Sequence, residues 1–60
     1  MKRYALVTGG SRGIGRAVCI HLASMGFPVI INYRSGQEAA EETLKAVEDL
    51  GGEGELLPFD

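Results

Sequence analysis

Apolar runs and stretches of helical spacing alternate along the chain. Residues 4–8 are apolar almost throughout, rather than at every second position, which is typical of a strand buried on both faces of a parallel sheet. From Ile14 the apolar residues recur three and four positions apart, as on one face of an amphipathic helix, and Gly26 stands where that helix would end. The first part of the chain therefore predicts a strand followed by a helix.

The second part of the chain repeats this pair of elements. Residues 28–33 form a short run rich in β-branched side chains, which favours a strand. Ser35 and Glu38 then have the spacing of a capping box, in which the serine caps the helix and the glutamate reaches back. Apolar positions keep the helical period as far as residue 50. These patterns predict a second strand and a second helix capped by Ser35.

Residues 55–60 resemble a third strand, which gives a β-α-β-α-β order. Parallel strands joined by right-handed crossovers place both helices on one face of the sheet, with strand order 3-2-1. That leaves one face of the sheet without a helix, yet apolar side chains point both ways: Ala5 and Val7 to one side and Leu6 to the other, and likewise Val29 and Ile31 against Ile30. The sequence therefore predicts an α/β fold in which residues 1–60 are the N-terminal part of a single, incomplete domain.

Composition excludes several classes of protein. Among 60 residues, six Lys and Arg stand against eight Asp and Glu, so the formal net charge is −2 and a nucleic-acid-binding module is not expected. No run approaches the roughly 18 consecutive apolar residues of a membrane span, and no signal-peptide pattern is present. We therefore expect a cytoplasmic protein whose partners include neither nucleic acid nor a membrane.

The chain has one cysteine, Cys19, and one histidine, His21. A single cysteine cannot form an internal disulfide, and these two residues cannot supply the ligand set of a zinc site. Both lie within the predicted first helix, away from the loop that precedes it. We expect them to pack or to lie at the solvent edge, with no role in catalysis or metal binding.

Nine of the 60 residues are glycine, about twice the average usage of roughly 7%. The loop between the first strand and helix reads Thr8-Gly9-Gly10-Ser11-Arg12-Gly13-Ile14-Gly15. Glycines there permit a sharp turn, let backbone amides approach a pyrophosphate and let the helix pack close to the sheet. The helix N-terminus favours the phosphate charge. The pattern predicts a Rossmann-type three-layer fold that binds a dinucleotide, with an ordinary glycine-rich turn as the alternative.

The same loop has the G-x-x-x-x-G spacing of the phosphate loop of nucleotidases, from Gly10 to Gly15. That loop continues with Lys and with Ser or Thr, which reach the terminal phosphates and hold magnesium. Arg16 and Ala17 stand at these positions here, so a nucleotidase is not expected.

The end of the second predicted strand indicates which dinucleotide is bound. A site that prefers NAD carries Asp or Glu about 20 residues past the glycine loop, where it binds the ribose hydroxyls. The stretch from Asn32 to Ser35 has no acid. Arg34 can instead pair with a 2′-phosphate, Ser35 can donate its hydroxyl, and Arg12 can reach the same phosphate from the loop. We expect NADP (NADPH) as the cofactor, with a solvated surface charge as the alternative for either arginine.

These residues together resemble the short-chain dehydrogenase/reductase family, whose glycine motif is T-G-x-x-x-G-x-G. The motif is matched at Thr8, Gly9, Gly13 and Gly15. Within the family, the fuller string Leu6-Val-Thr-Gly-Gly-Ser-Arg-Gly-Ile-Gly-Arg16 is similar to bacterial 3-oxoacyl-acyl-carrier-protein reductases. The resemblance covers the whole of these residues, which would form the first part of such an enzyme.

The resemblance also implies a set of cofactor contacts. The residues it assigns to the cofactor site are Thr8, Gly9, Ser11, Arg12, Gly13, Ile14, Gly15, Tyr33, Arg34, Ser35 and Asp60. The residues of the glycine loop would hold the phosphates, and residues 33–35 would hold the adenosine ribose and its 2′-phosphate. Asp60 would receive the adenine amino group; its alternative is a turn residue that closes a strand.

Catalysis in this family resembles proton donation by a Tyr that is followed by a Lys in Y-x-x-x-K, assisted by Ser and Asn. Here Tyr4 is followed four positions later by Thr8, and Tyr33 by Gln37. These residues therefore contain no catalytic group. The resemblance implies the N-terminal cofactor-binding segment of an NADPH-dependent oxidoreductase, which would be inactive alone.

The resemblance further implies reduction of a 3-oxoacyl thioester to a 3-hydroxyacyl thioester in fatty-acid synthesis. The partners would be an acyl substrate, small or bound to a carrier protein, and further copies of the protein in a homo-tetramer. The alternative from another class is a stand-alone nucleotide-binding or interaction fragment without catalysis. A sugar-nucleotide epimerase would show a different glycine loop.

Overall fold

The computed structural model describes residues 4–9 and 13–58, and their secondary structure follows the predicted order. The elements are β1 (Ala5–Thr8), α1 (Gly13–Ser24), β2 (Val29–Tyr33), α2 (Gln37–Asp49) and β3 (Gly54–Pro58). The strands form one parallel sheet in the order β1-β2-β3. This is the predicted order 3-2-1 counted from the other edge, so the β-α-β-α-β arrangement is confirmed. Ser11, Arg12 and Asp60 lie outside the described residues.

The hydrophobic core lies between one face of the sheet and both helices. Val29 and Ile31 of the central strand are fully buried. They share one cluster of buried side chains with Cys19 of α1 and Val47 of α2. Full burial of a Val or Ile side chain contributes about 1.5–3 kcal/mol. The prediction that both helices cover the same face of the sheet is confirmed.

The opposite face of the sheet carries no helix among residues 4–9 and 13–58. Leu6 is 60% exposed and Leu57 is 49% exposed, and Leu6 lies in register with Ile30 of the central strand. Alternation along the strands places these side chains on the side away from Val7 and Ile31. Parallel sheets ordinarily have both faces covered, so the incomplete domain stays a prediction that this exposure supports.

Both helices end in the same hydrogen-bond pattern. The N–H of Phe27 donates to the carbonyl of Leu22 at 3.1 Å, and the N–H of Gly26 donates to that of Ala23 at 3.0 Å. These two bonds form a Schellman motif, which satisfies carbonyls that the last helical turn leaves without a partner. An equivalent pair of hydrogen bonds closes α2 around Gly51.

Neither helix within the described ranges is long and apolar enough to cross a membrane.

The start of α2 differs from the prediction. The helix begins at Gln37, and its N-cap is Gly36, in the left-handed conformation (φ 77°, ψ 47°) and without a side-chain cap hydrogen bond. The predicted capping box, with Ser35 as the cap and Glu38 reaching back, is therefore wrong. Ser35 lies one residue before the cap, in the loop that follows β2, and Glu38 lies within the first turn of the helix.

Candidate functional site

The loops that follow β1 and β2 leave the sheet at the same edge. Thr8, the last residue of β1, lies in register with Asn32 of β2. One residue later the N–H of Gly9 donates to the carbonyl of Asn32 at 2.8 Å, which extends the ladder past the strand end. The start of the glycine loop therefore lies beside the end of β2. Ligands of open α/β sheets bind in the crevice outside these carboxyl ends.

Gly9 and Gly13 have backbone conformations that residues other than glycine rarely adopt. The φ angle is 72° at Gly9 and 54° at Gly13. Apart from neighbouring backbone, a Cβ atom at either position would meet no atom of the described residues within 4 Å. The backbone conformation, and not a lack of space, therefore requires glycine at both positions. The open space beside them is room that a bound phosphate group could use.

The N-terminus of α1 lies at the end of the glycine loop, because the helix begins at Gly13. The first N–H groups of a helix have no partner within it, and the helix dipole adds partial positive charge there. The first turn carries no acidic residue, and its Ile14 is 85% exposed. This turn can therefore receive an anionic group.

Residues 33–35 divide between the core and the surface. Tyr33 is 7% exposed and belongs to the hydrophobic core, so its side chain packs inside the molecule, and its role in the cofactor site stays a prediction. Arg34 and Ser35 are exposed, and Ser35 is not engaged as a helix cap. The structure thus brings Arg34 and Ser35 to the same edge as Gly9. No carboxylate lies among residues 32–35 at this edge.

Arg16 makes contacts that the sequence patterns did not predict. From the end of the first turn of α1 its side chain reaches α2, where Nε donates to Thr43 Oγ1 at 2.9 Å. Nη2 donates to the carbonyl of Ala39 at 3.0 Å and lies 3.3 Å from Glu42 Oε1. The sequence did contain one indication of these contacts, the positive charge of Arg16 near the start of a helix. A cation near the start of a helix opposes the helix dipole, which indicates specific partners elsewhere.

Cys19 packs in the core, as expected, and His21 is exposed in the last turn of α1. Burial raises the pKa of the Cys19 thiol, because the thiolate would lose its hydration. Cys19 therefore has the properties of a small apolar side chain, not those of a nucleophile. In the part of the chain that the structure describes, no group of three or more His, Cys, Asp and Glu side chains could hold a metal ion.

The chain is similar in sequence to known proteins over most of its length. A family model described as short chain dehydrogenase matches residues 3–60. The 3-oxoacyl-(acyl-carrier-protein) reductase FabG of Aggregatibacter actinomycetemcomitans is 43% identical over 60 residues, which are 100% of this chain and 25% of that protein. An NADPH-dependent aldehyde reductase-like protein, chloroplastic, of Arabidopsis thaliana is 51% identical over 48 residues, which are 80% of this chain and 18% of that protein.

A solved structure agrees with these sequence matches. The promiscuous reductase LugOII, which catalyses keto-reduction at C1 during lugdunomycin biosynthesis, has a TM-score of 0.93 and 43% identity, covering 97% of this chain and 23% of its own. The chain thus spans between 18% and 25% of the length of these three relatives. Because the family model covers almost every residue and the fold agrees, this chain belongs to the short-chain dehydrogenase family of oxidoreductases.

Proposed function

We propose that this chain is the N-terminal, cofactor-binding part of an NADPH-dependent reductase. Membership of the family implies a nicotinamide nucleotide as the cofactor. The observation that carries the proposal is the meeting of two loops at one sheet edge, where Gly9 is bound to Asn32 and the exposed Arg34 and Ser35 follow directly. The first loop would hold the diphosphate of the cofactor, and the second would hold the adenosine 2′-phosphate.

The diphosphate would lie against the glycine loop and the first turn of α1. The N–H of Gly9 is already bound to Asn32, so Gly9 would contribute its turn and the open space beside it rather than a donor. Backbone donors would come from the start of α1, around Ile14, where the helix dipole favours a phosphate. Ser11 and Arg12 would add contacts from the loop.

Arg34 and Ser35 would bind the 2′-phosphate that distinguishes NADPH from NADH. A charge-assisted hydrogen bond from a guanidinium contributes about 1.5–3 kcal/mol, and Ser35 adds a neutral donor. A carboxylate at this place would repel the phosphate, and none lies between Asn32 and Ser35. Similarity to a relative named as NADPH-dependent supports the same choice. Asp60 would receive the adenine amino group.

The residues of this chain would bind and orient the cofactor. When bound, NADPH supplies a hydride to a carbonyl carbon. Formation of the hydroxyl group also needs a proton on the carbonyl oxygen. The chain contains no Y-x-x-x-K motif, so we assign the proton donor to a tyrosine elsewhere in the protein, beyond residues 1–60.

For the substrate we propose a 3-oxoacyl thioester, free or bound to an acyl carrier, which would be reduced to the 3-hydroxyacyl thioester in fatty-acid synthesis. The support is the 43% identity to a 3-oxoacyl-(acyl-carrier-protein) reductase over the whole chain. A homo-tetramer and a cytoplasmic location belong to the same proposal, by analogy with that class of enzyme.

The test is a titration of the full-length protein with NADPH and with NADH, followed by cofactor fluorescence, and an assay of NADPH oxidation with acetoacetyl thioesters. We expect NADPH to bind at least about tenfold more tightly than NADH, a difference of about 1.4 kcal/mol. Equal affinities for NADPH and NADH would contradict the proposed recognition of the 2′-phosphate by Arg34 and Ser35. A folded full-length protein that binds neither cofactor would favour the alternative, an interaction module without catalysis.

A further inference from the structure

The side chain of Arg16, which starts next to the glycine loop, joins the two helices by hydrogen bonds. Arg16 follows Gly15, the last residue of the glycine motif, and its guanidinium donates to Thr43 Oγ1 at 2.9 Å and to the carbonyl of Ala39 at 3.0 Å. These contacts span 27 and 23 positions of sequence. They are directed to α2 and away from the loop that would hold the diphosphate. Arg16 is therefore placed to hold the start of α1 against α2.

The partners of Arg16 on α2 are themselves firmly held. Thr43 is fully buried, and its hydroxyl donates to the carbonyl of Ala39 at 3.1 Å. A buried hydroxyl that both donates and accepts a hydrogen bond has one orientation. It therefore limits the movement of the guanidinium from which it accepts its hydrogen bond. Glu42 adds an ion pair at 3.3 Å, but its side chain is 70% exposed and such a pair contributes little. The two contacts to Thr43 and Ala39 therefore constrain the guanidinium more than this ion pair does.

The contacted part of α2 lies directly after the loop that carries Arg34 and Ser35. The helix begins at Gln37, and the N–H of Ala40 donates to the carbonyl of Gly36 at 2.9 Å. Ala39 thus belongs to the first turn after that loop. A shift of α2 against α1 would move Arg34 and Ser35 relative to the first turn of α1.

We propose that Arg16 is a positioning residue that sets the spacing between the diphosphate-binding turn of α1 and the 2′-phosphate-binding loop before α2. This inference rests on the proposed function, since it assigns the turn of α1 to the diphosphate of the cofactor and the loop before α2 to the 2′-phosphate. In this role Arg16 acts through α2 and not by contacting the ligand. Its effect is greatest for a ligand that must contact both loops at once, because such a ligand binds well only at one separation.

The test compares two ligands on the full-length protein. NADPH contacts both loops, whereas adenosine 2′-monophosphate has no diphosphate and contacts only the loop with Arg34 and Ser35. The variant Arg16→Met keeps the unbranched stem and removes the donors to Thr43 and Ala39. We expect it to weaken NADPH binding about tenfold, the scale of one or two lost hydrogen bonds. We expect adenosine 2′-monophosphate to be weakened less than about twofold, which is within 0.5 kcal/mol.

Three further variants separate positioning from simple loss of stability. Thr43→Val removes the acceptor at constant shape, and should also weaken NADPH binding more than binding of adenosine 2′-monophosphate, by a smaller factor than Arg16→Met because the contact to Ala39 remains. Arg16→Lys retains a donor but not the forked guanidinium, and should recover part of the NADPH affinity. Lys45→Met removes an exposed cation of α2 and should change neither affinity. Effects of Arg16→Met and Thr43→Val should be less than additive when combined, because both variants remove the hydrogen bond between Arg16 and Thr43.

The outcomes distinguish this inference from the proposed function. If a folded Arg16→Met or Thr43→Val protein loses affinity for both ligands by the same factor, or loses affinity for neither, the positioning role is overturned. The proposed function then stands. If the wild-type protein binds neither NADPH nor adenosine 2′-monophosphate, the proposed function fails and this inference fails with it. Thermal melting of each variant establishes that it is folded at the assay temperature, and Arg16→Lys serves if the methionine variant is not.

Discussion

The N–H of Gly9 donates to the carbonyl of Asn32 at 2.8 Å, one residue beyond the last paired residue of β1. This bond sets the point at which the chain leaves the sheet and turns toward α1. It also keeps the start of the glycine loop about one strand spacing, roughly 4.8 Å, from the backbone that leads to Arg34. The two halves of the proposed cofactor site are thus placed by strand pairing as well as by the loops.

Replacing Gly9 by Ala should weaken NADPH binding. Its φ of 72° costs a non-glycine residue about 1–2 kcal/mol, which the loop can relieve only by moving. We expect about a tenfold loss of NADPH affinity, measured by fluorescence titration. Gly26→Ala is the matched control, because Gly26 also has a positive φ, of 91°, and open space at its Cβ, but lies at the far end of α1.

The control should lower the melting temperature by a similar amount and leave the NADPH affinity unchanged. Equal losses of affinity in the two variants would mean that general strain, and not the position of Gly9 at the sheet edge, weakens the binding.

Replacing Arg34 by Met should reduce the binding free energy of NADPH by about 1.5–3 kcal/mol, the scale of a charge-assisted hydrogen bond. NADH affinity should stay nearly unchanged, because NADH has no 2′-phosphate. Ser35→Ala should act in the same direction by about 0.5–1.5 kcal/mol. Titration with both cofactors measures the two effects. A loss that is equal for NADPH and NADH would show that Arg34 does not read the phosphate.

The open face of the sheet gives a test of the incomplete domain. Leu6 is 60% exposed here, so the 60-residue chain by itself should bind a hydrophobic dye and melt with low cooperativity. If further chain covers this face, Leu6→Ala should cost the full-length protein about 2–5 kcal/mol of unfolding free energy, as for a buried leucine. A cost below about 0.5 kcal/mol, as for a surface substitution, would show that the face stays in water.

Stability should fall at alkaline pH because of Cys19. Burial raises the pKa of its thiol in the folded state, so the folded protein holds this proton more tightly than the unfolded chain does. The resulting stabilisation is complete below the ordinary thiol pKa of about 8.5, and is lost as the pH rises through that value toward the raised one. The melting temperature of the wild type should therefore fall more steeply above about pH 8.5 than that of Cys19→Ala. Parallel curves would contradict this.

Ser35 shows where a local pattern fell short, and Tyr33 shows a burial that strand alternation indicates. Ser35 has capping-box spacing from Glu38, yet Gly36 caps α2, because the direction in which the chain leaves β2 decides which residue enters the helix. Tyr33 is assigned to the cofactor by resemblance, which stays a prediction, and its side chain lies in the core. Strand alternation did carry that information, since Tyr33 has the parity of Val29 and Ile31, which are both buried.

The sequence by itself determined the order of the elements, the parallel sheet with both helices on one face, and the glycine loop between β1 and α1. These features depend on hydrophobic period, on glycine positions and on the right hand of crossovers, all of which act over short stretches of chain. Only the tertiary structure decided that Arg16 reaches Thr43 across 27 positions. Such contacts depend on how two helices lie side by side on the sheet, and no local pattern encodes the separation between them.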